Sequence, residues 1–166
     1  MKHIFNLVNL AATKQLANLI AKAIFNSSNE FSSFVVTLNG DLGSGKTTLV
    51  RDILQSVGIT NRIKSPTFTI VEPYKVGDIN IYHFDLYRFN NPVEWEENGF
   101  NEYLFENKNI CFIEWADNAK EFITNIDWNI KLDVKGESRI VELSTRSNLG
   151  EKCLMKLIKI EDNLFN

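Results

Sequence analysis

Residues 40 to 47 read Gly-Asp-Leu-Gly-Ser-Gly-Lys-Thr, a match to G-x-x-x-x-G-K-[ST]. Glycines let consecutive backbone N–H groups turn inward and form an anion-binding nest. A helix opening at Lys46 aims the positive end of its dipole at the same point. Lys46 is a point charge that reaches the β- and γ-phosphates of a nucleoside triphosphate, and the Thr47 hydroxyl is placed to complete the shell of a Mg²⁺ ion. Chance produces the pattern in about one chain in a hundred of this length. The context also agrees: the apolar run Phe34 to Leu38 precedes the loop and an amphipathic segment follows it. A merely structural glycine turn is the alternative, and the flanking pattern weighs against it.

A loop of this kind needs an acid for the metal and for polarising water, at the carboxyl end of a buried strand close by. Two residues compete for that role. Glu114 closes the apolar run Ile110-Cys111-Phe112-Ile113, and Asp85 follows Ile81-Tyr82-His83-Phe84. The stretch IYHFDLYRF alternates His83, Asp85 and Tyr87 with Phe84, Leu86 and Arg88, which reads as a strand with one wet face. The plainer alternatives are a solvated strand end for Glu114 and a salt bridge from Asp85 to Arg88. The catalytic candidates are therefore Lys46, Asp85 and Glu114, and the metal candidates Thr47 and Glu114.

Guanine recognition requires Asn-Lys-x-Asp after a strand. Here Asn107-Lys108-Asn109 runs into Ile110 and precedes its strand, so the pattern fails. A small-molecule kinase needs a basic lid, whereas Lys120, Lys131, Lys135, Arg139 and Arg146 are dispersed. ATP hydrolysis coupled to a conformational task is the expectation. A phosphotransferase and a nucleotide-sensing scaffold are the rivals.

The elements that position these residues follow from periodicity. Residues 11 to 25 carry Leu16, Leu19, Ile20, Ala23 and Ile24 at helical spacing, with Thr13 as an N-cap or first-turn residue. A helix is expected over 46–58, with Gly58 as its stop. TFTIVEPY and INIYHFDLYRF read as a hairpin turning at Gly77-Asp78, and WNIKLDV with RIVELST as a second around Lys135-Gly136. Asn91-Pro92 opens short helical pieces containing Trp95, ADNAKEFI is a short helix, and a closing helix is expected at about 149–160. The chain of 166 residues is thus expected to be a single α/β domain, a P-loop NTPase-like sheet of mixed parallel and antiparallel strands flanked by helices.

A net charge of −3 argues against a protein whose main work is gripping nucleic-acid phosphates. Cys111 and Cys153 lack metal-knuckle spacing and read as reduced, buried thiols. The start has no convincing signal-peptide pattern, and no apolar run approaches a membrane span, so a cytoplasmic address is expected.

Taken together and in order, GDLGSGKTT, IKSPTFTIVEPY, YHFDLYRF and FIEW resemble the TsaE (YjeE) family, small P-loop ATPases of bacterial tRNA threonylcarbamoyladenosine synthesis. The likeness runs from about Thr13 to Arg139; Ser44 replaces an alanine common in the family. The resemblance implies ATP and Mg²⁺ as cofactors and the proteins TsaD and TsaB as partners, with tRNA reached only through their complex. It also implies that Gly40 to Thr48 (including Asp41, Leu42, Gly43, Ser44 and Gly45) hold the phosphates, with Thr47 and Glu114 facing Mg²⁺ and Asp85 ordering water. Ser65 and Thr67 of Ser-Pro-Thr-Phe would sense the γ-phosphate. Thr13 would lie near the adenosine end, and Arg139, after Gly136, would reach the nucleotide.

Overall fold

The computed structural model describes residues 1–89, 91, 93–105 and 108–165. Three largely buried runs form the middle of a sheet: β2 (Ser33–Asn39), β5 (Asn109–Glu114) and β4 (Ile79–Asp85). β2 pairs parallel with β5, and β5 pairs parallel with β4. β6 (Trp128–Lys135) lies parallel along the other edge of β2. Antiparallel strands flank this centre: β3 (Val71–Val76) on β4, then β7 (Ser138–Thr145) on β6 and β1 (Lys2–Leu7) on β7. The seven-stranded order is β1-β7-β6-β2-β5-β4-β3. The expected mixed α/β sheet of P-loop type is what the chain forms.

Parallel strands buried on both faces need helices on both sides, and the sequence supplies them unequally. Phe34, Val36 and Leu38 of β2, with Ile110 and Phe112 of β5, face α1 (Leu10–Phe25), α2 (Lys46–Ser56) and α5 (Asn148–Phe165). Val35, Cys111, Ile113 and Phe84 face the thinner cover of α3 (Glu94–Glu97), α4 (Asn101–Phe105) and a 3₁₀ turn at Ala116–Ala119. Trp95 lies in that second layer, fully buried and in contact with Phe84 and Phe100. Burying each such large apolar side chain contributes about 1.5–3 kcal/mol. Both cysteines are free and buried, and burial pushes their thiols up. Among the described residues no helix is long and apolar enough to cross a membrane.

Several expectations need correction. The residue that caps α1 is Asn9, whose side chain accepts the Ala12 N–H at 2.9 Å; Thr13 sits one turn inside, its hydroxyl on the Asn9 carbonyl at 3.4 Å. Lys2–Leu7 is an edge strand that the sequence reading left unassigned. Thr67 to Ile70 form a turn rather than the start of a strand, and β4 stops at Asp85 instead of running to Phe89. The supposed wet face of β4 is not wet: His83 and Asp85 are buried, and of that alternating set Tyr87, past the strand end, is exposed. The physical reason is position, because β4 lies between β3 and β5 with residues 79 and 81 already in the α1–α2 core. The closing helix is longer than expected, Asn148–Phe165, and Pro92 lies outside the described residues.

One buried carboxylate ties the helical layer to the sheet. Asp127, just before β6, accepts the Val35 N–H at 2.9 Å and the Ser147 hydroxyl at 2.5 Å, and Ser147 Oγ in turn accepts the Gly150 N–H in the first turn of α5. Burial raises its pKa, partly opposed by the two donors. The folded chain therefore holds this proton to higher pH than the unfolded chain. Its contribution to stability falls as pH rises from the unfolded carboxylate range through the raised value. Asp127→Asn should flatten that decline in urea-melting midpoints measured from pH 4 to 7. Asp127→Ala, which strands the Val35 N–H, should cost about 1–3 kcal/mol at any pH in that range.

Candidate functional site at the carboxyl ends of the parallel strands

β2 ends at Asn39, and the chain turns over the sheet edge through the loop 40–45 before α2 begins. Gly40 has φ 146° and Gly45, the residue before α2, has φ 106°, both in the region that side chains disfavour. A Cβ on Gly40 would lie 2.5 Å from the Leu132 carbonyl oxygen, so β6 and the loop approach too closely for any other residue. The loop thereby presents backbone N–H groups and the start of an 11-residue helix to one point.

The acids arrive by register. Leu38 pairs with Glu114 across β2 and β5, and Glu114 pairs with Asp85 across β5 and β4. Both carboxylates are buried. Glu114 Oε2 accepts the Thr47 hydroxyl at 3.0 Å and Oε1 contacts His83 Nε2 at 2.8 Å. Asp85 is held differently. Its Oδ1 accepts the Tyr87 N–H at 2.9 Å, while Oδ2 accepts the hydroxyls of Thr67, at 2.7 Å, and Ser65. Asp85 thus makes no pair with Arg88, whose guanidinium lies 4.3 Å over the exposed Phe68 ring.

Lys46 Nζ donates to the carbonyls of Gly40 at 2.7 Å and Asp41 at 3.0 Å, and lies 4.1 Å from the Trp115 ring centroid. Burial lowers its pKa, opposed by the charges of Glu114, Asp85 and Asp41. Trp115 has φ 58°, which swings its ring back over the loop immediately after Glu114.

Two cavities adjoin along the loop. The smaller is lined by Leu42, Lys46, Thr47, Ser65, Thr67, Asp85, Glu114 and Trp115. The larger, ≈ 700 Å³, is lined by Thr13, Ser44, Leu132, Glu137 and Arg139, with the segment Leu7 to Ala11 along one side. Gly43, Gly45 and Thr48 border both. The structure therefore brings Lys46, Thr47, Asp85 and Glu114 together, and sets Thr13 and Arg139 on the far side of the loop. Arg139 Nη1 donates to the Glu137 carbonyl at 2.8 Å. Of the loop candidates, Asp41 supplies a carbonyl to Lys46 and Leu42 is exposed at the tip. Sequence reasoning missed His83, Leu132 and the Leu7–Ala11 segment as parts of this site. The two-residue spacing of His83 and Asp85 was the available signal for the first.

An α/β sheet of P-loop type, with its glycine loop and two acids at the carboxyl ends of adjacent parallel strands, defines the class of protein. Residues 7–141 match the family model described as "Threonylcarbamoyl adenosine biosynthesis protein TsaE", and the chain belongs to that family. The chain is 42% identical over 122 residues to the tRNA threonylcarbamoyladenosine biosynthesis protein TsaE of Haemophilus influenzae, covering 74% of this chain and 77% of that one. It is 40% identical over 160 residues to the protein of the same name from Bacillus subtilis, covering 96% and 95%. The crystal structure of Bacillus subtilis YdiB superposes with a TM-score of 0.78 at 27% identity over 97% of each chain.

The close approach at Gly40 has a measurable consequence. Gly40→Ala must move either the loop or β6, and should cost about 1–3 kcal/mol in a urea titration. Amide exchange should accelerate at residues 41–46, while the α3–α4 layer stays as protected as in the parent chain.

Proposed function

We propose that this chain binds ATP with Mg²⁺ across the loop and hydrolyses it. By doing so it supports a TsaB–TsaD complex that places threonylcarbamoyl groups on the adenosine beside the anticodon of ANN-decoding tRNAs. The observation that carries the reading is the loop's position between two cavities. One has the volume of a small-molecule site; the other is rimmed by the oxygens of Thr47, Ser65, Thr67, Asp85 and Glu114. In this reading the nucleoside lies beside Thr13 and Arg139, and the γ-phosphate lies beside the acids.

The residues fit the ion. Thr47 Oγ1 and Glu114 Oε2 are hard oxygen donors 3.0 Å apart, the set that holds Mg²⁺ jointly with phosphate oxygens. Among the described residues no three His, Cys, Asp or Glu side chains form a cluster able to hold a metal alone, as suits an ion that comes with its nucleotide. When bound, the ion supplies charge neutralisation at the β- and γ-oxygens. The chain's own groups do the remaining work. Lys46 exchanges the Gly40 and Asp41 carbonyls for phosphate oxygens. Ser65 and Thr67 turn their hydroxyls from Asp85 to the γ-phosphate, and Asp85 is then free to hold the attacking water. Water oxygen bonds to the γ-phosphorus, the bond to the β–γ bridging oxygen breaks, and the water's proton passes toward Asp85. Glu114, with Oε1 held by His83 and Oε2 beside Thr47, is left to face the ion, which leaves Asp85 for this step once Ser65 and Thr67 have turned away.

Turnover by the isolated chain should be slow, because Arg51, Arg88 and Arg139 do not line the smaller cavity. Arg88 covers Phe68, Arg139 bonds backbone carbonyls, and Arg51 bonds the Thr48 hydroxyl at 3.3 Å.

Lys46→Ala should abolish nucleotide binding by calorimetry. Asp85→Ala should retain it within a few fold and lower hydrolysis about 100-fold or more. Hydrolysis that persists in both Asp85→Ala and Glu114→Ala would overturn the assignment. In a multi-turnover assay with purified TsaB and TsaD, product should stop near one equivalent of complex unless this chain and ATP are both present.

A further inference from the structure

His83 stands on β4 between Ile81 and Asp85, on the face that α2 covers, and its side chain is completely buried. Register sets it opposite Phe112, one alternation behind the Asp85–Glu114 pair, so its ring reaches diagonally to Glu114 Oε1. Its other nitrogen, Nδ1, has no hydrogen-bond partner. A carboxylate oxygen accepts, so Nε2 is the donor in this 2.8 Å bond.

As a core residue His83 is a poor choice. Ile81 beside it and Phe112 opposite it on β5 are apolar. Asp85 beside it and Glu72 opposite it on β3 are acids that make no hydrogen bond to its free nitrogen, and a leucine would fill the space without stranding that nitrogen. What a leucine lacks is the donor. Glu114 has two oxygens, and each is held by a different element: Oε1 by β4 through His83, and Oε2 by α2 through Thr47. With the His83 bond removed, the carboxylate is free to rotate about its last bond and to swing away from the Thr47 hydroxyl.

We propose that His83 is the positioning residue of Glu114, holding its Oε2 beside the Thr47 hydroxyl so that the two oxygens form a pre-set seat for the divalent ion that accompanies the nucleotide. This rests on the nucleotide reading above. His83 touches neither nucleotide nor ion; it acts through the carboxylate, as the outer partners of metal ligands do.

The test uses the whole chain, with Mn²⁺ as the probe ion and ADP as the nucleotide, read by electron paramagnetic resonance of free and bound Mn²⁺. His83→Leu removes the donor, and His83→Gln restores a side-chain N–H near the place of Nε2. Mn²⁺ affinity of the ADP complex should fall about 10–100-fold in His83→Leu and recover most of that loss in His83→Gln. ADP affinity measured in excess chelator should be unchanged within twofold in all three chains. Should His83→Leu fail to fold, His83→Phe fills a ring-sized space without a donor and takes its place. Wild-type Mn²⁺ affinity in the apolar variant would overturn the proposal. So would a glutamine variant as weak as the leucine one, or unfolding of both apolar variants, which would assign His83 to the fold. If the parent chain binds no ADP even with Mn²⁺, the nucleotide reading fails first and this inference goes with it.

Discussion

Leu38, Glu114 and Asp85 stand in one row across three parallel strands, and the site depends on that row. It places the exit of β2, which becomes the glycine loop, beside two carboxylates on neighbouring strands. The register has no freedom to slip. A shift of one residue would turn every side chain of a strand to the opposite layer, exchanging Ile110 and Phe112 with Cys111 and Ile113 between two cores of different depth. The apolar filling of both layers thus fixes the relative height of Glu114 and Asp85 before either acid makes a contact.

The row brings two buried carboxylates into direct register, and like charges so placed repel. The surrounding groups answer that repulsion with donors rather than with a salt bridge. Asp85 takes one backbone N–H and two hydroxyls; Glu114 takes one hydroxyl and one imidazole N–H. Lys46 is the nearby cation, and it is anchored on carbonyl oxygens instead of on either acid. Hydroxyl donors are a reversible means of stabilising a carboxylate, because each can rotate to another acceptor. Ser65 lies just before, and Thr67 on, a turn that ends at Ile70, a β-branched residue at φ 67° whose carbonyl accepts the Asp85 N–H. The turn is joined to β4 through Asp85 by both main chain and side chain.

The glycine loop was legible because its pattern has a fixed spacing, and Glu114 because such a loop calls for an acid at the end of a buried strand close by. The polar alternation of β4 misled for a physical reason. His83 and Asp85 point away from the apolar Phe84 layer, and one strand's pattern cannot distinguish a face turned to water from a face turned to an enclosed polar site. β1 was missed because Ile4, on its outward face, is 58% exposed and breaks the alternation that Phe5 and Leu7 would otherwise announce. Thr13 was read as a cap or a first-turn residue; Asn9, four residues earlier, is the cap, and Thr13 closes the first turn on its carbonyl. The turn over residues 65–70 carried strand-forming residues, and its tertiary bond to Asp85 overrode their propensity.

Lys46 is held in the loop by neutral partners. Burial alone would favour losing its proton, and the carboxylates of Glu114, Asp85 and Asp41 oppose that loss. The Gly40 and Asp41 carbonyls and the Trp115 face then fix where the retained charge lies. Each of these partners is neutral and easily exchanged, so in the proposed nucleotide site a phosphate would compete with weak ligands rather than with an ion pair. A direct bond from Lys46 to either acid would have held the charge more tightly and would have had to break on binding. The left-handed turn at Trp115 is therefore part of the same arrangement as the acid before it: it supplies a π face where a carboxylate contact would have bound the lysine more tightly.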